Sequence, residues 1–87
     1  MQIVYEIKAI KDLKAIEPKT RERIVAKIVS YADVPASQAN NVKHLTGSPF
    51  FRLRVGDYRV IFSLDDDIAT VMTVIRVRHR RDVYDQL

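Results

Sequence analysis

Phe50-Phe51-Arg52-Leu53-Arg54-Val55-Gly56-Asp57-Tyr58-Arg59-Val60-Ile61-Phe62 decides the fold. Two runs rich in β-branched and aromatic residues flank Gly56-Asp57, the two-residue signature of a tight hairpin. With those two residues as the loop, Val55 pairs with Tyr58, Arg54 with Arg59 and Leu53 with Val60. Arg54 and Arg59 then oppose each other on one face, with Arg52 two positions along. The other face carries Phe51, Leu53, Val55, Tyr58, Val60, Phe62 and Leu64, enough apolar surface to seat helices. Like charges directly across a ladder cost a fraction of a kcal/mol. Folding gains nothing from that arrangement, so it points to an anionic ligand.

Downstream, Asp65-Asp66-Asp67 mark a turn, and Ile68–Val77 is apolar on both parities, as a central strand should be. A two-residue Asp turn puts even-numbered residues on the Arg54 face. Arg76 and Arg78 join it there, while Val71, Ile75 and Val77 face the core. Arg80 and Arg81 follow. A one-residue slip in this turn would reverse every one of these assignments.

Upstream, Gln2 to Ile7 alternates as a strand. Ile10, Leu13 and Ile16 mark a short helix ending before Pro18, and Ile24, Val25, Ile28, Val29 and Ala32 stripe a longer helix over Lys19 to Ala32. Residues 33–49, with Pro, Ser, Asn-Asn and Gly, read as loop anchored by Val42 and Leu45. The order β-α-α-β-β-β predicts an α+β domain: a mostly antiparallel four-stranded sheet with a helical hairpin on one face. The 87 residues suffice for one domain, 1–87.

Charge distribution sharpens the reading. The net charge is +4; residues 1–43 hold six Lys and two Arg, whereas residues 44–87 hold seven Arg and no Lys. A guanidinium is a planar fork that grips phosphate oxygens in pairs and keeps its proton. With no cysteine there is neither a disulfide framework nor a thiolate site. No apolar run approaches a membrane span, and neither a signal h-region nor a metal-ligand spacing is found, so the expectation is a cytoplasmic chain without cofactor or membrane.

Three blocks carry a resemblance: Leu45-Thr46-Gly47-Ser48-Pro49, the stretch Arg52 to Phe62, and His79-Arg80-Arg81-Asp82-Val83-Tyr84. Together they resemble the RelE family of bacterial toxins, which shares a superfamily with the ParE-like toxins. The resemblance implies a RelE-like fold and an mRNA interferase that cuts the messenger in the ribosomal A site. It also implies a cognate antitoxin, acidic, amphipathic and folding on binding, in a toxin–antitoxin hetero-oligomer. The family's basic pair falls on Arg52 and Arg54, its next arginine on Arg59, its C-terminal arginine on Arg78 or Arg80, and its tyrosine on Tyr84.

Attack of an RNA 2′-hydroxyl on the adjacent phosphorus needs a proton acceptor, a proton donor and charge stabilisation. Arg59 with Arg78 or Arg80 suits the last role, and Tyr84 suits stacking or proton exchange. Arg52, Arg54, Arg76 and Arg81 suit backbone phosphates. The best-known family pattern has lysines at the basic pair; here arginine, a poor base, implies phosphate binding at Arg52. His79 has a pKa fit for proton transfer, but its parity points toward the core, so it transfers protons or orders its segment. Two further readings share these residues: a ParE-like DNA gyrase inhibitor without nuclease activity, and a plain nucleic-acid-binding module.

Overall fold

In the computed structural model, which describes residues 1–82, the hairpin forms as the sequence requires. Strand β3 (Phe50–Val55) pairs antiparallel with β4 (Tyr58–Asp65), setting Val55 against Tyr58 and Arg54 against Arg59. Gly56 turns the chain at φ +57°, and no other residue of that loop has positive φ, the pattern of a type II′ turn.

Around the hairpin the described elements run β1 (Gln2–Tyr5), α1 (Ile7–Lys14), α2 (Pro18–Asp33), a 3-10 segment (Pro35–Asn41), β2 (Val42–His44), β3, β4 and β5 (Val71–His79). The sheet order is β1-β5-β4-β3-β2. The α+β class and the helical pair hold, but the sheet has five strands rather than four. The addition is β2, three residues of the expected loop that pair Val42 with Leu53 and Lys43 with Arg52. All pairings are antiparallel except β1 with β5.

One core unites helices and sheet. Ile24 and Ile28 of α2 are fully buried with Leu53, Val60, Phe62, Met72 and Val74, and Tyr31 packs tilted on Phe62 at 5.1 Å between centroids. In α1, Ala9 and Leu13 turn inward with Ile16 just beyond, while Ile10 is 39% exposed. Helix α2 begins with Pro18 at its first turn and the Glu17 carboxylate accepting from the Lys19 and Thr20 amides, at 3.0 and 3.1 Å. Those hydrogen bonds, first from Lys19 and then from Thr20, hold the Glu17 carboxyl below its ordinary pKa.

Strand β5 departs from expectation twice. Asp65 pairs with Val71, so the loop spans residues 66–70 and Ile68 lies 98% exposed at its tip instead of in a strand. Then the register shifts: Ile61 faces Arg76, but Phe62 faces Val74, leaving Ile75 as the extra residue of a bulge. Met72 and Val74, not Val71 and Ile75, therefore enter the core, whereas Val77 enters as expected. The bulge reverses side-chain parity midway along the strand, and this reversal is what returns Arg76 and Arg78 to the Arg54 face.

An ion pair braces the bulge. β1 pairs with β5 only as far as Val74, whose carbonyl accepts from the Glu6 amide. Past that point Asp12 of α1 serves β5: Oδ2 accepts from Arg76 Nε at 2.8 Å and the Val77 amide at 2.9 Å, and Oδ1 accepts from Arg76 Nη2 at 3.1 Å. The hydrogen bonds that Arg76 donates to Asp12 raise the Arg76 pKa above its ordinary value. Both side chains are mostly shielded, at 21% and 17% exposure, so the pair is stronger than a typical surface bridge.

Candidate nucleic-acid interface

Strand register assembles the site. Arg54 faces Arg59 and Arg59 faces Arg78, placing one arginine on each of three adjacent strands in a single row. Neighbouring strands lie about 4.8 Å apart, so the row spans roughly 10 Å of backbone. Two residues along, a second row reads Lys43, Arg52, Ile61, Arg76. Ile61 is fully buried although it lies on the polar face and outside the main core.

The rows differ in how their charges are met. In the second, the guanidinium of Arg76, a residue expected to bind phosphate, donates to Asp12 of α1. In the first, Arg59 Nη1 donates to the carbonyls of Gly56 at 2.9 Å and Tyr58 at 3.0 Å, which holds its fork over the turn. Arg54 is exposed, and Arg59 and Arg78 are half-buried. Arg80 reaches the same end of the sheet because its amide donates to the Asp57 carbonyl at 2.7 Å. Its side chain stands 3.7 Å from the Asp57 carboxylate, an exposed and loose contact.

A groove of about 460 Å³ opens at this end, lined by Arg54, Arg59 and Arg80 together with Arg23 and Lys27 of α2. Among the described residues no carboxylate lines it. A second groove, about 260 Å³, adjoins it and shares Asn41 and Arg54 with it, adding Lys43, Arg52 and Asn40. Arg23, Lys27 and Lys43 were not among the residues the sequence singled out. The available signal was the i, i+4 spacing of Arg23 and Lys27, one residue before the buried Ile24 and Ile28.

The remaining described candidates are peripheral. His79 follows the core parity, edge-on to Tyr58 at 5.4 Å between centroids, and its Nδ1 accepts from the Arg81 amide at 3.3 Å. It orders the chain leaving β5. Arg81 is exposed beside it, and Tyr84 lies outside the described residues. His44 donates through Nε2 to the Ser48 carbonyl at 2.8 Å and packs on Phe51, a loop-bracing role. Among the described residues no three His, Cys, Asp or Glu side chains gather as a metal site would require. No helix of the described residues is long and apolar enough to cross a membrane.

Comparison with known proteins gives this surface its setting. Residues 3–84 match the family model for the ParE toxin of type II toxin–antitoxin systems. This chain belongs to that family. Within the wider RelE/ParE superfamily it is 23% identical over 83 residues to the mRNA interferase toxin RelE of Escherichia coli K12, covering 94% of this chain and 87% of the relative. The RelE toxin in the RelB–RelE complex of Methanococcus jannaschii superposes with a TM-score of 0.73 at 25% identity, covering 97% of this chain and 98% of that one. A YoeB/ParE toxin from Agrobacterium tumefaciens superposes with a TM-score of 0.74 at 16% identity, covering 91% and 98%, and supports the shared fold.

Proposed function

We propose that this type II toxin is a ribosome-dependent mRNA endoribonuclease that arrests translation by cutting the messenger in the A site. The observation carrying the reading is the Arg54–Arg59–Arg78 row, with Arg80 at its end. Three like charges from three strands in one row suit a backbone with one charge per nucleotide.

In this reading the 2′-oxygen loses its proton and attacks phosphorus as the bond to the 5′-oxygen breaks and that oxygen takes up a proton from Tyr84 or a ribosomal group, leaving a cyclic phosphate and a free 5′-hydroxyl. Arg59 and Arg78 or Arg80 hold the non-bridging oxygens where charge accumulates. Arg52 and Arg54 fix the flanking phosphates and so align attack with departure. Tyr84 stacks on a base or exchanges a proton with the hydroxyls. The 2′-hydroxyl proton goes to a ribosomal group or to Tyr84, whichever does not protonate the 5′-oxygen, since an arginine does not accept it and His79 Nδ1 already accepts the Arg81 amide.

A cognate antitoxin, acidic and amphipathic, would cover the cationic face and order as it binds, as partner charge demands. Exposed Ile7, Ile10 and Val29 on the two helices, at 72%, 39% and 50%, offer it apolar anchors. RelB-bound relatives of the same fold support such a complex.

The ParE family match favours a second reading, in which the same fold binds and inhibits DNA gyrase without cleaving anything. Primer extension on a translated messenger after toxin induction, beside a gyrase supercoiling assay, separates the two. Codon-phased cuts select the nuclease. Blocked supercoiling without cuts selects the gyrase inhibitor and removes the nuclease proposal.

A further inference from the structure

Helix α2 contributes to the cationic groove in a way that helix solvation does not explain. Its basic residues divide. Arg21 Nη1 donates to the Leu13 carbonyl at 3.4 Å, tying α2 to α1. Arg23 and Lys27 project instead into the groove that holds Arg54, Arg59 and Arg80. Five cations from one helix, two strands and the chain after β5 thus line one concavity, with no carboxylate among its described lining residues.

The turn locks this arrangement. A Cβ at Gly56 would collide with the Arg23 guanidinium, so that fork lies against the turn backbone. The same glycine's carbonyl accepts from Arg59 Nη1. Arg23 and Arg59 therefore meet at one residue, from the helical and sheet sides. Lys27 is one helical turn further on, about 5–6 Å from Arg23 between Cβ atoms, on the same face of α2. Cations placed in series along a groove match a polyanion that runs through it, rather than a single small anion.

We propose that Arg23 and Lys27 form a second backbone anchor, binding RNA phosphates beyond the nucleotides held by the sheet arginines. The strand enters along α2, crosses the hairpin end at Arg59 and continues over the neighbouring groove at Arg52 and Lys43. This inference rests on the RNA reading of the site and extends it. The α2 pair contributes affinity and register and takes no part in the chemical step.

Salt dependence tests it, because each phosphate contact on a single strand adds about 0.7 to the slope of log affinity against log salt. Fluorescence anisotropy with a labelled single-stranded RNA compares the wild type with Arg23→Gln/Lys27→Gln, whose glutamines keep helix propensity and most of the stems. Lys11→Gln/Lys14→Gln, in the last turn of α1, removes the same charge away from the groove. Arg54→Gln/Arg59→Gln reports the sheet site.

The expected result is a slope shallower by about 1.4 for the α2 pair and unchanged for the α1 pair. Equal slopes for the α2 and α1 variants, with a shallower slope for the sheet variant, would overturn the α2 anchor and leave the RNA site standing. No slope change in the sheet variant would remove the RNA reading and this inference with it. A loss confined to duplex DNA would also overturn it, in favour of a DNA-binding surface.

Discussion

Arg76 and Arg78 stand two residues apart on one face of β5, yet their surroundings differ in kind. Arg76 is gripped at two nitrogens by Asp12, whose carboxylate also takes the Val77 amide. Arg78 stands in register with Arg59 and, through it, with Arg54. The first region uses opposite charges to close an open strand edge beside a bulge. The second gathers like charges across a ladder, a pairing that by itself is unfavourable. Identical side chains on one strand thus sit in different settings, Arg76 held by α1 and Arg78 in the arginine row that the proposed function assigns to RNA.

The largest expected effect tests the second region directly. Arg59→Ala should lower messenger cleavage by about 10²–10³-fold, the usual loss for one donor that stabilises developing charge. Antitoxin binding, measured by calorimetry, should be largely preserved. Arg76→Met should retain toxicity to the extent that the protein stays folded. The opposite pattern, with Arg59→Ala fully toxic and Arg76→Met inert yet stable, would break the comparison.

Next comes the brace. Asp12→Ala leaves a half-shielded guanidinium and a strand amide without their acceptor, a loss of about 2 kcal/mol. For a domain of this size that corresponds to a fall in Tm of roughly 8–16 °C, readable by calorimetry. Because the bulge sets the facing of Arg78, cleavage should fall with it. A Tm within a degree or so of wild type would show the edge to be held by something else.

A smaller effect probes the joint between the two regions. Gly56→Ala forces an L-residue into the left-handed region, at about 1–2 kcal/mol, and drives a methyl into the Arg23 fork. Urea denaturation should report that loss. RNA affinity should fall further than for a turn change that spares Arg23, such as Asp57→Asn.

How far these features could be read in advance follows the range of the interactions that make them. Gly56-Asp57 is local, and the hairpin register it implies, Arg54 against Arg59, is the one observed. The facing of Arg76 and Arg78 is also as expected, but for a different reason. The loop before β5 holds residues 66–70, which alone would have turned both inward, and the bulge at Ile75 restores them. A bulge leaves no mark in an apolar run whose two parities look alike. β2 was hidden because three residues after an Asn pair carry no periodicity; only the open edge of β3 makes them a strand. The i, i+4 spacing of Arg23 and Lys27 was visible, but the docking of α2 beside the hairpin end is tertiary information. The likeness to RelE-family blocks reached the superfamily by another route, through residues such as Gly47, Pro49 and the Gly56 turn that the fold needs whatever the ligand.

The smallest effect concerns a charge that sides with Asp12. Glu17 accepts two backbone amides and the Thr20 hydroxyl at the start of α2, the helix that carries Arg23 and Lys27 to the groove. Its pKa is lowered in the folded state, chiefly by the Lys19 and Thr20 amides. A depressed carboxylate stabilises the fold above its unfolded pKa, and that contribution disappears as pH falls through the folded value. Glu17→Gln should therefore lower Tm slightly at neutral pH, and the gap to wild type should close in acid below the ordinary carboxylate range. Because Glu17 is exposed, added salt should shrink the neutral-pH difference as well. A gap that persisted unchanged in strong acid would mean that the helix start depends on the shape of the side chain rather than its charge. Glu17 would then no longer belong with Asp12 among the carboxylates whose charge secures the fold.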